Sequence, residues 1–374
     1  MRSMMRRIVH TFTFVLFVVG LIQLAIMVQL YVFPSAKQAI PLKKEAVLPV
    51  HNEAESKVEV KQPAKAFTLP QSQFVAQSFN NCGPATLSMI LFYYGKNVSQ
   101  EEIATQMRPF NNPFGGIDDK SIFASEFALH AKQYGFVSFH RPNGTIDLLK
   151  TFVANDIPVV VRTWLNPYED IGHFRIVRGY DEEREVIIVD DSYNGPNLEV
   201  SYADFLSMWQ PFNYSYILVF PKEKQDIVSA VLGEEKDEEV AFRNARKRSE
   251  EKLQENPDNA YAQFNIAIAE YYLGNYEEAV IAFEKAEFGL PPRMLWYQYE
   301  PILAYQKVKN YDRVFQLTDT ILINGNLAFS ELYQIRGEVY EVLGNKEAAK
   351  QAFENAVYYN HNFLAAKKAL ENIN

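Results

Sequence analysis

The longest pattern in the chain is an uncharged one. From Ile8 to Phe33 there is no Asp, Glu, Lys or Arg, a run longer than the roughly 20 apolar residues that a bilayer-spanning helix needs. Arg2, Arg6 and Arg7 precede it, while Lys37, Lys43 and Lys44 follow at greater distance. That asymmetry predicts a cytoplasmic N-terminus, a single-pass anchor in the plasma membrane and extracytoplasmic C-terminal domains. Pro34-Ser35-Ala36 makes a poor small-x-small cleavage site, so residues 1–35 are expected to persist as tip and anchor. Residues 36–65 are polar, charge-mixed and dotted with prolines, the pattern of a flexible stalk.

At about residue 66 the pattern turns aromatic and β-branched and stays so to about residue 222, a length suited to one domain. Its first half has helical spacing. The apolar run Thr86–Tyr94 opens at Cys82-Gly83-Pro84, Ser99-Gln100-Glu101-Glu102 is a capping box for a helix through Met107, and Phe123–Tyr134 carries apolar residues on one helical face. Thr145 reads as the N-cap of a helix over 146–154. Its second half reads as strands over 158–164, 174–178, 185–189 and 214–220, with 179–184 as a hairpin loop and a short helix capped by Ser201. Helices first and an antiparallel sheet second is an α+β layout.

Residues 223–250 are rich in Glu, Lys and Arg and read as a charged helical connector. Over 251–374 a repeat emerges. Leu273-Gly274-Asn275-Tyr276, Val308-Lys309-Asn310-Tyr311 and Leu343-Gly344-Asn345-Lys346 recur 35 residues apart. The period and the turn between two helices resemble the tetratricopeptide repeat, which implies an all-α array with Phe363–Ile373 as its capping helix. The second unit departs from the family pattern at the small-residue positions.

Composition narrows the function. A net charge of −9 and a pI near 5.4 leave no basic surface for nucleic acid. A single cysteine permits neither an intrachain disulfide nor a cysteine-based zinc cluster. No His/Asp/Glu cluster has metal-ligand spacing, so neither metal nor other cofactor is expected.

The cysteine is the candidate nucleophile. Cys82 lies at the N-terminus of an apolar helix, where helix dipole and unpaired N–H groups favour thiolate. A thiol attacking an amide also needs a base, a group to orient it and donors for the oxyanion. His173, in Gly172-His173-Phe174, opens a strand, and Asp190 and Asp191 end the next strand of the same hairpin. Either aspartate fits the orienting position.

These residues resemble the bacteriocin-processing cysteine peptidases, cysteine peptidase family thirty-nine, and their non-transporter relatives, whose fold is papain-like. Gln77…Asn81-Cys82-Gly83-Pro84-Ala85, Asp156-Ile157-Pro158, Gly172-His173…Gly179-Tyr180-Asp181 and Val189-Asp190-Asp191-Ser192 carry the resemblance, over about residues 69–221. It implies Cys82 as nucleophile, His173 as general base and then acid, and Asp191 as orienter, with Ser192 where the family has a proline and Asp190 the competing aspartate. It also implies Gln77 as oxyanion donor, ahead of Gln73 and Gln71. The expected function is cysteine-type peptide hydrolysis, with a peptide or protein as substrate and the concave repeat surface recruiting a substrate or protein partner. The alternative is a catalytically inactive papain-like and repeat scaffold at the cell envelope.

Overall fold

The computed structural model describes residues 58–110 and 122–373; the predicted anchor, most of the stalk and residues 111–121 lie outside them. Among the described residues no helix is long and apolar enough to cross a membrane.

The middle of the chain is a sheet between two helical layers. The strands β1 (Ala66–Thr68), β2 (Val137–Arg141), β3 (Val159–Trp164), β4 (Gly172–Asp181), β5 (Val186–Asp191), β6 (Gly195–Ser201) and β7 (Tyr216–Phe220) pair antiparallel in the order β2-β7-β3-β4-β5-β6. β1 joins the far end of β4, with Thr68 opposite Gly179. Val160, Phe174, Ile176 and Ile217 point to one face, under the helices α1 (Cys82–Tyr93), α2 (Gln100–Met107) and α3 (Ala124–Ala131). Val159, Val161, Val177 and Leu218 point to the other, under α4 (Ile146–Ala154), α5 (Tyr202–Trp209) and α6 (Gln225–Leu232). Covered on both faces, β3 is buried along its whole length, so its sequence is nearly continuous in valine rather than alternating.

The predicted caps sit where their side chains are needed. Ser99, Thr145 and Ser201 accept from the backbone N–H groups of Glu102, Leu148 and Asp204. β1, β2 and β6, short or edge strands with little apolar content, are not marked in the sequence. The sequence reading placed the hairpin loop too early: β4 continues through Gly179–Asp181 because that segment pairs with both β1 and β5. The turn begins only at Asp181, whose carboxylate accepts from the N–H groups of Glu183 and Arg184.

The charged stretch beyond 222 is helical and packed. α6 buries Val228 and Leu232 in the sheet's core, and α7 (Glu238–Glu255), which runs past residue 250, stacks Phe242 of its first turns on Tyr272, ring centroids 4.2 Å apart. Tyr272 belongs to α8 (Ala260–Tyr272), followed by α9 (Tyr276–Ala286), α10 (Met294–Tyr297), α11 (Glu300–Lys307), α12 (Tyr311–Ile323), α13 (Ser330–Val342), α14 (Lys346–Tyr359) and α15 (Leu364–Ile373). The 35-residue motif closes a helix each time. Gly274, Lys309 and Gly344 take φ of +82°, +62° and +76°, and the next N–H, from Asn275, Asn310 and Asn345, donates to the carbonyls of Glu270, Tyr305 and Tyr340 at 2.9 Å.

The second repeat is broken in its first helix: α10 stops at Tyr297 and the chain restarts at Glu300, with Pro301 in the first turn of α11. Tyr297 there packs edge-on against Trp164 and Phe212, with centroids 5.7 and 6.1 Å away. The array is turned toward the sheet domain along its length. Asn265 donates to the Gln210 carbonyl at 2.8 Å, Tyr299 lies on Phe123 at 4.7 Å, and Asn362 donates to the carbonyls of Thr105 and Gln106. The sheet domain therefore covers part of the array's surface.

Candidate active site

α1 starts at Cys82. Asn81, in the N-cap position, turns its side-chain N–H to the Ser78 hydroxyl at 2.7 Å and does not cap the first turn. The first-turn N–H groups are thus left by Asn81 for other partners. Cys82 lines a groove of about 780 Å³ together with Gln77, Gly172, His173, Tyr297 and Trp296.

His173 is the second residue of β4 and is paired with Thr163 of β3. Its Nε2 donates to Asp191 Oδ1 at 2.8 Å, and the ring lines the same groove as Cys82. Since Asp191 holds Nε2, Nδ1 is the nitrogen left to take the thiol proton. The two titrations shift in opposite senses. Burial pushes the Cys82 thiol up, but the His173 hydrogen bond and charge, the Arg162 charge and the Phe174 N–H bring it net below its ordinary value. Burial pushes His173 down, yet its bonds to Asp191 and Cys82 leave it raised. Both shifts favour a thiolate–imidazolium pair.

Asp191 is wholly buried and saturated with donors. Besides His173 it accepts from Arg175 Nε at 2.9 Å and from the N–H groups of Tyr193 and Asn194 at 2.8 and 2.9 Å. Burial would raise its pKa, but His173, Arg175 and the Asn194 N–H outweigh it and hold the carboxyl well below the usual range. Its neighbour Asp190 faces elsewhere, as adjacent strand residues must. Asp190 accepts from Arg178 Nε at 2.9 Å and from the Asn197 N–H at 3.0 Å.

Gln77 is clamped to the segment after β5. Its N–H donates to the Ser192 carbonyl and its Oε1 accepts from the Ser192 hydroxyl, each at 2.9 Å, and the residue lines the groove. Gln71 instead accepts from Asn197 Nδ2, on the Asp190 side, and Gln73 is exposed and does not line the groove.

Two buried arginines at the site were missed from sequence. Arg175 ties Asp191 to the Thr163 hydroxyl and to the carbonyls of Trp164 and Leu165. Arg162, in β3, is buried among the rings of Phe174, Phe212 and Tyr297. The available signal was an arginine in the centre of an otherwise apolar strand, which a packed sheet does not accept without a partner.

Residues 68–217 match the model of the Peptidase C39 like family, and residues 260–287 and 330–363 match a tetratricopeptide repeat model. The chain carries a C39-like peptidase domain followed by tetratricopeptide repeats. Among solved structures, the peptidase domain of Streptococcus ComA, a bi-functional ABC transporter involved in a quorum sensing pathway, is 22% identical. That match covers 40% of this chain and 97% of the other, with a TM-score of 0.31. MamA from Desulfovibrio magneticus RS-1 is 20% identical over 36% of this chain and 75% of its own, with a TM-score of 0.33. No curated protein matches the chain. Between the two matched repeat segments lies the broken unit, 288–329, and Trp296 and Tyr297 of that unit wall the groove of the peptidase domain.

Proposed function

We propose that this chain is a cysteine peptidase that hydrolyses peptide bonds through Cys82, His173 and Asp191. The single observation that carries the reading is that Cys82 and His173 line one open groove, with His173 Nε2 held by the buried Asp191 carboxylate at 2.8 Å. In this reading Sγ of the thiolate attacks the scissile carbonyl carbon. His173, protonated at Nδ1, gives that proton to the leaving amine, whose departure leaves a thioester on Cys82. His173 then takes a proton from water, which attacks the thioester and releases the new carboxylate and the thiol. Asp191 holds the imidazole by Nε2. The Gln77 NH₂ and the Cys82 N–H would meet the developing oxyanion. Gly83 leaves room beside the nucleophile: a Cβ at that position would stand 2.9 Å from the Ile122 side chain.

With one cysteine in the chain, alkylation reports on Cys82 alone. Iodoacetamide at mildly acidic pH is expected to modify the folded wild type quickly, and His173→Ala slowly. Equal, slow labelling of both would favour the inactive scaffold.

The uncharged run and the arginines before it support a membrane anchor over residues 1–35, with the peptidase and repeats outside the cytoplasm. A phosphatase reporter fused after residue 374 is expected to be active; a silent reporter would overturn that topology.

A further inference from the structure

The groove that holds Cys82 and His173 is shared between the two folds. The repeat array supplies part of its wall from two places: Arg293, Trp296 and Tyr297 in and just before α10, and Asn324, Gly325 and Asn326 in the turn after α12. The large side chains that meet the groove are apolar. Phe79, Ile171 and Tyr193 of the peptidase domain line it and are 59%, 42% and 66% exposed, and Trp296, half-buried, joins them from the array. Large apolar side chains left open around a candidate active site mark where the apolar surface of a ligand is received. Among the described residues that line the groove none is Asp or Glu, and the lining arginine, Arg293, is paired with Asp170 at 2.8 Å. The wall therefore offers a peptide apolar contact and no carboxylate with which to hold a basic side chain.

We propose that Trp296 is a specificity-determining residue: the broken second repeat forms a subsite that receives a bulky apolar side chain of the peptide substrate. Trp296 is tied to the peptidase domain through the residues around it. The Arg293 guanidinium lies 5.5 Å from its ring centroid and donates to Asp170, in the loop that leads into β4 and His173. Tyr297, the next residue, accepts at its carbonyl from Arg162 Nη1 of β3 at 3.3 Å, and its ring packs so closely on Gly172 that a Cβ there would stand 2.9 Å from it. The break in the repeat makes the first of these contacts available. Pro301, four residues on, has no N–H to donate to the Tyr297 carbonyl, which is left for Arg162. The irregular repeat thus sets Trp296 against the groove from anchors on both β3 and β4. Moving a bulky apolar side chain from water onto such a wall is worth about tenfold or more in affinity.

The inference rests on the peptidase reading for its purpose but is tested without turnover. Fluorescently labelled heptapeptide pools, with Phe, Leu, Gly or Lys fixed at the centre and small polar residues elsewhere, are titrated by anisotropy against the full chain carrying Cys82→Ala. Protection of Cys82 from iodoacetamide in the wild type reports whether the bound peptide sits in the groove. The Phe and Leu pools are expected to bind about tenfold tighter than the Gly and Lys pools. Adding Trp296→Ala should reduce that margin to about twofold or less, and Trp296→Phe should keep most of it, with a thermal melt of each variant as the folding control. Should Trp296→Ala not fold, Tyr193→Ser, at an exposed position on the peptidase side of the groove, is expected to narrow the margin in its place. Equal affinities for the four pools, binding that leaves Cys82 unprotected, or a margin unchanged by the variant would overturn the proposal. A wild type that shows the preference and cleaves none of the pools counts against the peptidase reading alone, whereas the margin and its loss decide the present one.

Discussion

At the scale of single residues, the two adjacent aspartates separate cleanly. In the proposed mechanism Asp191 orients His173, so Asp191→Ala is expected to lower kcat by about 10²-fold or more per folded molecule, and, because it also strips buried Arg175 of its carboxylate, to lower stability as well. Asp190 instead neutralises buried Arg178, both side chains being about 5% exposed or less. Its removal leaves that guanidinium unpaired, and Asp190→Ala is expected to cost about 3–5 kcal/mol of stability, read by denaturant titration. The pH profile follows from the same shifts. Cys82 is lowered from 9.0 and His173 raised from 6.5, so kcat/KM should rise with pH as the thiol ionises and fall only as the imidazolium loses its proton at higher pH. His173→Ala should remove the falling limb. Cys82, His173 and the aspartate pair were legible in sequence because their types are scarce and their positions on strand and helix ends are marked. The choice between Asp190 and Asp191 was left open by the residues themselves, because it turns on which face of β5 each one takes, and a bulge between Val177 and Gly179 shifts the register there.

At the scale of elements, the caps and the 35-residue turns were readable because each is a local rule, a side chain serving its own backbone. Lys309 is the exception that the rule exposes: it occupies the left-handed position that glycine fills in the other two turns. Lys309→Gly is therefore expected to stabilise the protein by about 1 kcal/mol, seen as a higher melting temperature. Gly337 works the other way. A Cβ there would stand 2.3 Å from the Phe353 ring between α13 and α14, so Gly337→Ala is expected to cost about 1–3 kcal/mol. The strands missed from sequence, β1, β2 and β6, are ones whose pairing is supplied by distant segments. β1 has three residues, all exposed, and exists only because β4 extends far enough to receive it.

At the scale of the whole molecule, the organisation into an α+β domain and a helical array was visible in the change of hydrophobic period. What periodicity cannot report is how two such units dock. Trp164, Met208 and Phe212 of the peptidase domain share one apolar core with Ile268, Ile302 and Phe329 of the array. The two are therefore expected to unfold in a single calorimetric transition; two well-separated transitions would contradict a shared core. The docking also gives the irregular second repeat a purpose, since its break falls where the chain meets Arg162 and Gly172. The measurement that bears most directly on the account is cleavage of a peptide library by the full chain, with new termini read by mass spectrometry, beside Cys82→Ala. The account predicts products that appear with wild type and vanish with the variant. Identical product spectra from the two proteins would contradict it.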